Sequence, residues 1–257
     1  MSKKKSIRAV LVGCGGMSRA WLNVAKERKD LHIVGLVDID LNTAKSRAKE
    51  YGLDNVRMDR KLNSVLSATE PDVVFDVTIP DAHTEVTVTA LKMGCHVLGE
   101  KPLSNSMANA RRSIRAAERS GKIYAVIQNR RYNANIRRLR KLVAAGSIGN
   151  LTTVNCDFYL GAHFGGFRDR MRHVLLLDMA IHTFDQARLI TNTDPVSVYC
   201  REWNPAGSWY DHDASAICIF EMSNGLIFTY RGSWCAEGLN TSWESDWRIV
   251  GTRGSAT

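Results

Sequence analysis

Two short stretches carry side chains suited to chemistry. In "CHVLGEKPLSNS" (95–106) an apolar, strand-like run ends in Glu100, Lys101 and Pro102. A lysine there is either one charge of an ordinary turn or an ammonium held at the mouth of a pocket. Pro102 restricts the backbone of Lys101, and a cis bond between them would fix the turn further. In "LLLDMAIHTFD" Asp178 and His182 stand four residues apart, on one face of a helix. Their neighbours Leu175, Leu176, Leu177, Met179, Ala180 and Ile181 are apolar. A carboxylate and an imidazole in such surroundings are costly unless paired or functional. One reading is a functional pair; the other is a satisfied histidine at a domain interface, oriented by the aspartate. No metal is expected. His163, His173 and the Asp211-His212-Asp213 cluster read as loop or turn residues, and no third ligand stands out beside Asp178 and His182.

A third stretch, "VLVGCGGMSRAW", carries Gly13-x-Gly15-x-x-Ser18 between a strand-like run and a helix-like one. Gly13 suits a tight turn, and Gly15 lets a diphosphate approach the backbone. Amides near Gly16 and Met17 would face that anion at the helix's positive end, and Ser18, in place of a third glycine, still permits close packing. Alone, the pattern also fits any turn that needs glycine dihedrals. Context strengthens it. Asp38 lies about 25 residues after Gly13, at the end of "VGLVDID". An acid there accepts hydrogen bonds from an adenosine ribose and repels a 2′-phosphate, which favours NAD over NADP. Asp38 as a mere helix cap is the plain alternative, although Asp40 is better placed for that.

These residues need a scaffold. Apolar runs at 7–12, 31–37, 71–78, "CHVLG" and 122–128 alternate with helical stretches, two of them closed by Gly52 and Gly94. Strands this apolar, alternating with helices, predict a doubly wound parallel sheet, hence an α/β domain over 1–129. From 130 the texture changes to a helix ending at Gly146 and then longer β-like segments. One strong helix, "HVLLLDMAIHTFDQARLITN", interrupts them. Turns such as "SNG" predict a mostly antiparallel sheet, so an α+β domain over 130–257.

The bulk numbers are those of a globular chain: 257 residues, 44% hydrophobic and 24% charged. The net charge of +9 and pI of about 9.4 would suit nucleic acid. The arginines instead sit inside helical patterns (Arg111, Arg112, Arg115, Arg119; Arg137, Arg138, Arg140) with no zinc-finger or aromatic signature beside them. A basic surface, or a field that attracts an anionic cofactor or substrate, is the expectation, with no nucleic-acid partner. No apolar run is long enough to span a membrane, and the start lacks a secretory signal pattern. Six scattered cysteines without CxxC pairs predict reduced thiols in a cytoplasmic protein.

"VGCGGMS", "VDID", "TIPDAH", "GEKPLS" and "LLLDMAIHTFDQA" resemble, in order and approximate spacing, the glucose–fructose oxidoreductase, inositol dehydrogenase and rhizopine catabolism family (Gfo/Idh/MocA). The resemblance covers nearly the whole chain. It implies a Rossmann domain, an open antiparallel sheet domain, NAD or NADP, and hydride transfer at a hydroxyl-bearing carbon of a sugar, cyclitol or related metabolite. It gives Lys101 contact with nicotinamide ribose and substrate, His182 the acid–base role, and Asp178 substrate binding or tuning of His182. Thr78, Pro80 and His83 fall on the cofactor-edge loop, with Glu100 and Gln128 toward the nicotinamide. Tyr132, His163, Arg168 and Trp209 are pocket candidates. Two other readings stand beside the dehydrogenase: a non-catalytic dinucleotide-binding sensor, and an NAD-dependent glycosidase. Homo-oligomerisation through the sheet is implied as well. "RHVLLLD" departs from the glycine-rich approach of the family. "WRIVGTRGSAT" reads as the middle of the sheet, so closing strands are expected to be missing.

Overall fold

The computed structural model describes residues 6–257. The chain forms two compact units, Met1–Ile127 and Gln128–Thr257.

The first unit contains β1 (Ile7–Val12), α1 (Ser18–Glu27), β2 (Leu31–Val37), α2 (Leu41–Tyr51), β3 (Arg57–Asp59), α3 (Leu62–Thr69), β4 (Val73–Asp76), α4 (Pro80–Lys92), β5 (His96–Gly99), α5 (Met107–Ser120) and β6 (Tyr124–Val126). Its sheet runs β3-β2-β1-β4-β5-β6, with every neighbouring pair parallel. Residues alternate across it. Ala9 and Leu11 pack with Trp21, Leu22, Ala44 and Ala48, and Val10 and Val12 with Val65, Leu66, Ala90 and Leu91. Burial on both faces is what makes the strands read as continuous apolar runs. The strand order reverses direction between β1 and β4, and in open α/β sheets ligands bind beyond the carboxyl ends of the strands at that point. The third and last apolar runs form shorter strands, Val73–Asp76 and Tyr124–Val126, than 71–78 and 122–128 suggested. β3 and α3 escaped the sequence reading, because three residues such as Arg57-Met58-Asp59 carry no period.

The second unit contains α6 (Ala134–Ala144), β7 (Leu151–Tyr159), a π-helical segment at Leu175–Ala180 running into α7 (Ile181–Thr191), β8 (Pro195–Trp203), β9 (Ser215–Met222), β10 (Ile227–Ser233), β11 (Asp246–Gly251) and β12 (Gly254–Ala256). The sheet order is β12-β11-β7-β10-β9-β8. Val154, Cys156, Phe158, Phe228 and Tyr230 pack with Ala187 and Ile190 of α7. The opposite face shows Tyr199, Ile217, Ile219 and Ile227 to solvent. The sheet is mostly antiparallel, as expected; β7 and β10 pair in parallel, with α7 in the connection between them supplying the crossover that a parallel pair needs. "WRIVGTRGSAT" forms the β11–β12 hairpin, which lies at one edge of the sheet among the described residues.

Candidate functional site

The turn after β1 is built around missing side chains. Gly13 has φ of +89°, and a Cβ there would lie 2.5 Å from the Val77 carbonyl oxygen. A Cβ at Gly15 or Gly16 would meet nothing within 4 Å. Side chains from other elements hold the loop. Asp38 accepts from the amides of Cys14 at 2.7 Å and Asp40 at 2.9 Å. Arg47, buried on α2, donates from Nε and Nη2 to the Cys14 carbonyl at 3.2 and 3.1 Å, and from Nη2 to the Gly15 carbonyl at 3.0 Å. Ser18 is fully buried and its hydroxyl donates to the Gly15 carbonyl at 2.6 Å. The loop's carbonyls are thus engaged. No hydrogen bond among the described residues uses the amides of Gly15, Gly16 or Met17. Helix α1 has no side-chain cap and no acidic residue in its first turn. Spare amides at an uncapped, positive helix end, with open space over two glycines, fit the diphosphate of a dinucleotide. Asp40, by contrast, caps α2 through the Asn42 amide at 3.0 Å. Burial first, then the charge of Asp38, push the Cys14 thiol up to about 12.

Arg47 was missed as one base among many on a helix. Its signal was position: it occupies the buried stripe Ala44-Arg47-Ala48, where a guanidinium needs partners.

At the carboxyl ends of β4 and β5, Asp76 organises a second group. This buried carboxylate accepts from the Thr78 hydroxyl at 2.6 Å and amide at 3.2 Å, and from the Thr87 hydroxyl at 3.3 Å. It also faces His83 Nδ1 at 3.1 Å. His83 Nε2 is buried with no partner among the described residues. Pro80 is the first residue of α4. Glu100 is buried too. Its Oε1 accepts from the Trp21 indole N–H at 2.8 Å, and its Oε2 from the Lys101 amide at 3.3 Å. Trp21 in turn packs on Phe75, ring centroids 5.1 Å apart. The Lys101–Pro102 bond is cis. Thr78, Pro80 and His83 therefore share one strand end, and Glu100 and Lys101 the adjacent one. Asp76 and Trp21, which sequence reasoning did not single out, hold them.

In the second unit the expected continuous α-helix is interrupted. Asp178 lies in the π segment and His182 is the second residue of α7; both are buried. A π turn widens the helix locally and is found often at functional sites. It follows His173, whose φ of +55° is unusual outside glycine and whose Nδ1 lies 2.6 Å from Glu202. Arg168 donates from Nε to Asp178 Oδ2 at 2.7 Å. Its guanidinium lies 5.2 Å from the Phe164 ring and 4.7 Å from that of Phe167. Of the other pocket candidates, His163 stacks on Trp209 at 3.6 Å and pairs with Glu237, and Tyr132 is exposed. Gln128 opens the unit, just before a 3-10 turn at Asn129–Tyr132. Among the described residues no group of three or more His, Cys, Asp or Glu side chains is arranged to hold a metal ion. No described helix is long and apolar enough to cross a membrane.

The first unit thus has the fold of a dinucleotide-binding domain, followed by a mixed-sheet domain that carries a buried Asp/His pair. Comparison with known proteins gives the family. The "Oxidoreductase family, NAD-binding Rossmann fold" profile matches residues 7–128, and the "GFO/IDH/MocA C-terminal domain" profile matches 136–257. An uncharacterized protein, y4oX, of Sinorhizobium fredii is 30% identical over 95% of this chain and 71% of its own. The D-glucoside 3-dehydrogenase of Escherichia coli is 29% identical over 86% of this chain and 68% of its own. A crystal structure of an Agrobacterium radiobacter oxidoreductase in complex with NAD+, L-tartaric acid and magnesium superposes with a TM-score of 0.90 at 20% identity, covering 98% of this chain and 73% of that one. The chain belongs to the Gfo/Idh/MocA oxidoreductase family, and its first unit is the NAD-binding Rossmann domain. The second match runs to residue 257.

Proposed function

We propose that the protein is an NAD-dependent dehydrogenase or reductase acting on a hydroxyl-bearing carbon of a sugar, cyclitol or related metabolite. The observation that carries this reading is that Asp178, on a π turn, and His182, at the start of the helix that follows, are both buried, with Arg168 fixed on the carboxylate. A protein that only binds a dinucleotide has no need of a desolvated acid–base pair. The glucoside dehydrogenase relative supports a carbohydrate substrate.

Gly15, Gly16 and Met17 would hold the diphosphate through their amides, with Gly13 and Ser18 shaping the turn. Asp38 accepts one hydrogen bond from the Cys14 amide of the loop and one from the Asp40 amide, and, as a carboxylate, has further lone pairs for ribose hydroxyls. Its charge favours NAD over the 2′-phosphorylated form. Thr78, Pro80, His83, Glu100 and Gln128 would complete the nicotinamide side. When bound, the nicotinamide supplies the hydride acceptor or donor. For the oxidation, the His182 imidazole takes the hydroxyl proton of the substrate. Asp178, steadied by Arg168, fixes the ring and stabilises its protonated form. The Lys101 ammonium would offset negative charge developing on a substrate oxygen beside the nicotinamide. The apolar outer row Tyr199, Ile217, Ile219 and Ile227 supports self-association of the chain.

The test is a screen of polyols, inositols and sugars with NAD and with NADP, read by the near-ultraviolet absorbance of the reduced nicotinamide. Net reduction with a free polyol or sugar is the expected result. Cleavage of a glycosidic bond without net reduction would select the glycosidase, and binding without turnover the sensor.

A further inference from the structure

We propose that Cys200 and Cys218 form a reversible disulfide across β8 and β9, by exchange with a small-molecule disulfide such as oxidised glutathione. The inference is independent of the reaction proposed above. The two residues are direct partners in the antiparallel register, and their sulfurs lie 3.5 Å apart. Residues so opposed have Cα atoms about 4.5–5.5 Å apart, inside the range of about 4.4–6.8 Å that a disulfide spans. Closure therefore asks for side-chain rotation and not for movement of a strand.

Exposure divides the labour between them. Cys200 is exposed and Cys218 is buried. Cross-strand partners point to the same face of a sheet, and Cys218 shares its face with buried Ala216 and Met222 of β9. Cys200 lies on that same, inner side, but β8 is the edge strand and solvent reaches it there. The row Tyr199, Ile217 and Ile219 is on the opposite face. The other four cysteines lack such a neighbour. Cys14 contacts the Val37 carbonyl, Cys95 the carbonyls of Pro71 and Met93, Cys235 the Ser233 hydroxyl, and Cys156 is buried in the core.

The exchange has two steps. The Cys200 thiolate attacks oxidised glutathione; a Cys200–glutathione bond forms, the glutathione S–S bond breaks, and one glutathione thiolate leaves. Cys218 then gives its proton to solvent and attacks the Cys200 sulfur, releasing the second glutathione. Two cysteine thiols end as one disulfide, and one oxidised glutathione as two thiols. Burial, above all, raises the Cys218 pKa, followed by its contact with Cys200. Cys218 is therefore the resolving thiol and Cys200 the entry point. The bond would staple the edge strand β8, which among the described residues pairs with β9 alone, and close a short loop that the unfolded chain would otherwise leave open.

Arg201 lies between the two cysteines, so trypsin separates them into peptides that only a disulfide keeps together. The intact protein is incubated with oxidised glutathione, alkylated, and analysed by whole-chain and tryptic mass spectrometry. The expected wild-type result is loss of two alkylatable thiols, a linked pair of peptides containing Cys200 and Cys218, and full recovery with reductant. Cys218→Ser should stop with one glutathione on Cys200, and Cys200→Ser should keep every remaining thiol alkylatable. A lasting glutathione adduct on wild-type Cys200, a linkage to another cysteine, or an unchanged thiol count would overturn the proposal, and these wild-type outcomes do not depend on either variant folding.

Discussion

The glycine loop after β1 and the π turn before α7 both hold polar groups amid apolar packing, but they are built from different parts of the chain. In the loop the useful groups are backbone amides. Side chains are either absent, at Gly13, Gly15 and Gly16, or turned to the task of holding carbonyls, as Arg47 and Ser18 do. Around the π turn the groups proposed to act are side chains, Asp178 within it and His182 just after it in α7, and another side chain, Arg168, holds the carboxylate. A backbone-built site tolerates many neighbours as long as the dihedrals survive, and it suits binding. A side-chain-built site depends on atoms that one substitution removes, and it suits reaction. The contrast predicts that variants in the two regions separate binding from turnover.

The largest effect should come from His182→Ala. Loss of a general base lowers turnover by about 10² to 10⁴, while dinucleotide affinity measured by calorimetry stays near wild type. An equal loss of affinity would erase the distinction between the regions. Next, Arg168→Gln removes a charged hydrogen bond of about 1.5–3 kcal/mol. If that bond matters in the transition state, kcat falls roughly 10- to 100-fold, and Arg168→Lys recovers part of it. On the binding side, Arg47→Met frees two loop carbonyls. The dinucleotide Kd should rise about tenfold, equivalent to about 1.4 kcal/mol, with kcat at saturation preserved and the melting temperature lowered.

Two glycines sharpen the loop further. Gly13→Ala meets a backbone oxygen at a positive φ, so stability should drop by more than about 1 kcal/mol in denaturant titrations. Gly15→Ala meets open space; its melting temperature should hold while dinucleotide affinity weakens. The smallest effect concerns Cys14. With its thiol pushed up to about 12, it stays protonated at neutral pH and should resist alkylation while Cys200 reacts, as peptide mapping of the labelled protein would show.

The same contrast explains what the sequence revealed. The loop was legible because glycines, a following helix and Asp38 must fall at fixed spacings for any diphosphate to be cradled. The alternation of strands and helices was legible because a doubly covered sheet demands long apolar runs. Asp178 and His182 stood out by type among leucines, but the π turn did not, since an i,i+4 pair looks the same in either helix. Asp76, Arg47 and Trp21 were invisible for a related reason. Their importance lies in what packs against them from distant elements, and no local pattern records that. The parallel pairing of β7 with β10 was hidden because turn residues announce hairpins and are silent about crossovers.

Trp21 has a practical consequence. It is the single tryptophan of residues 1–127 among the six in the chain, and its indole joins α1 to Glu100, next to Lys101. In a variant whose other five tryptophans are replaced by phenylalanine, fluorescence comes from this one ring. Its emission would register how the helix over the glycine loop and the lysine turn fit together, and energy transfer to a reduced nicotinamide would report occupancy in real time.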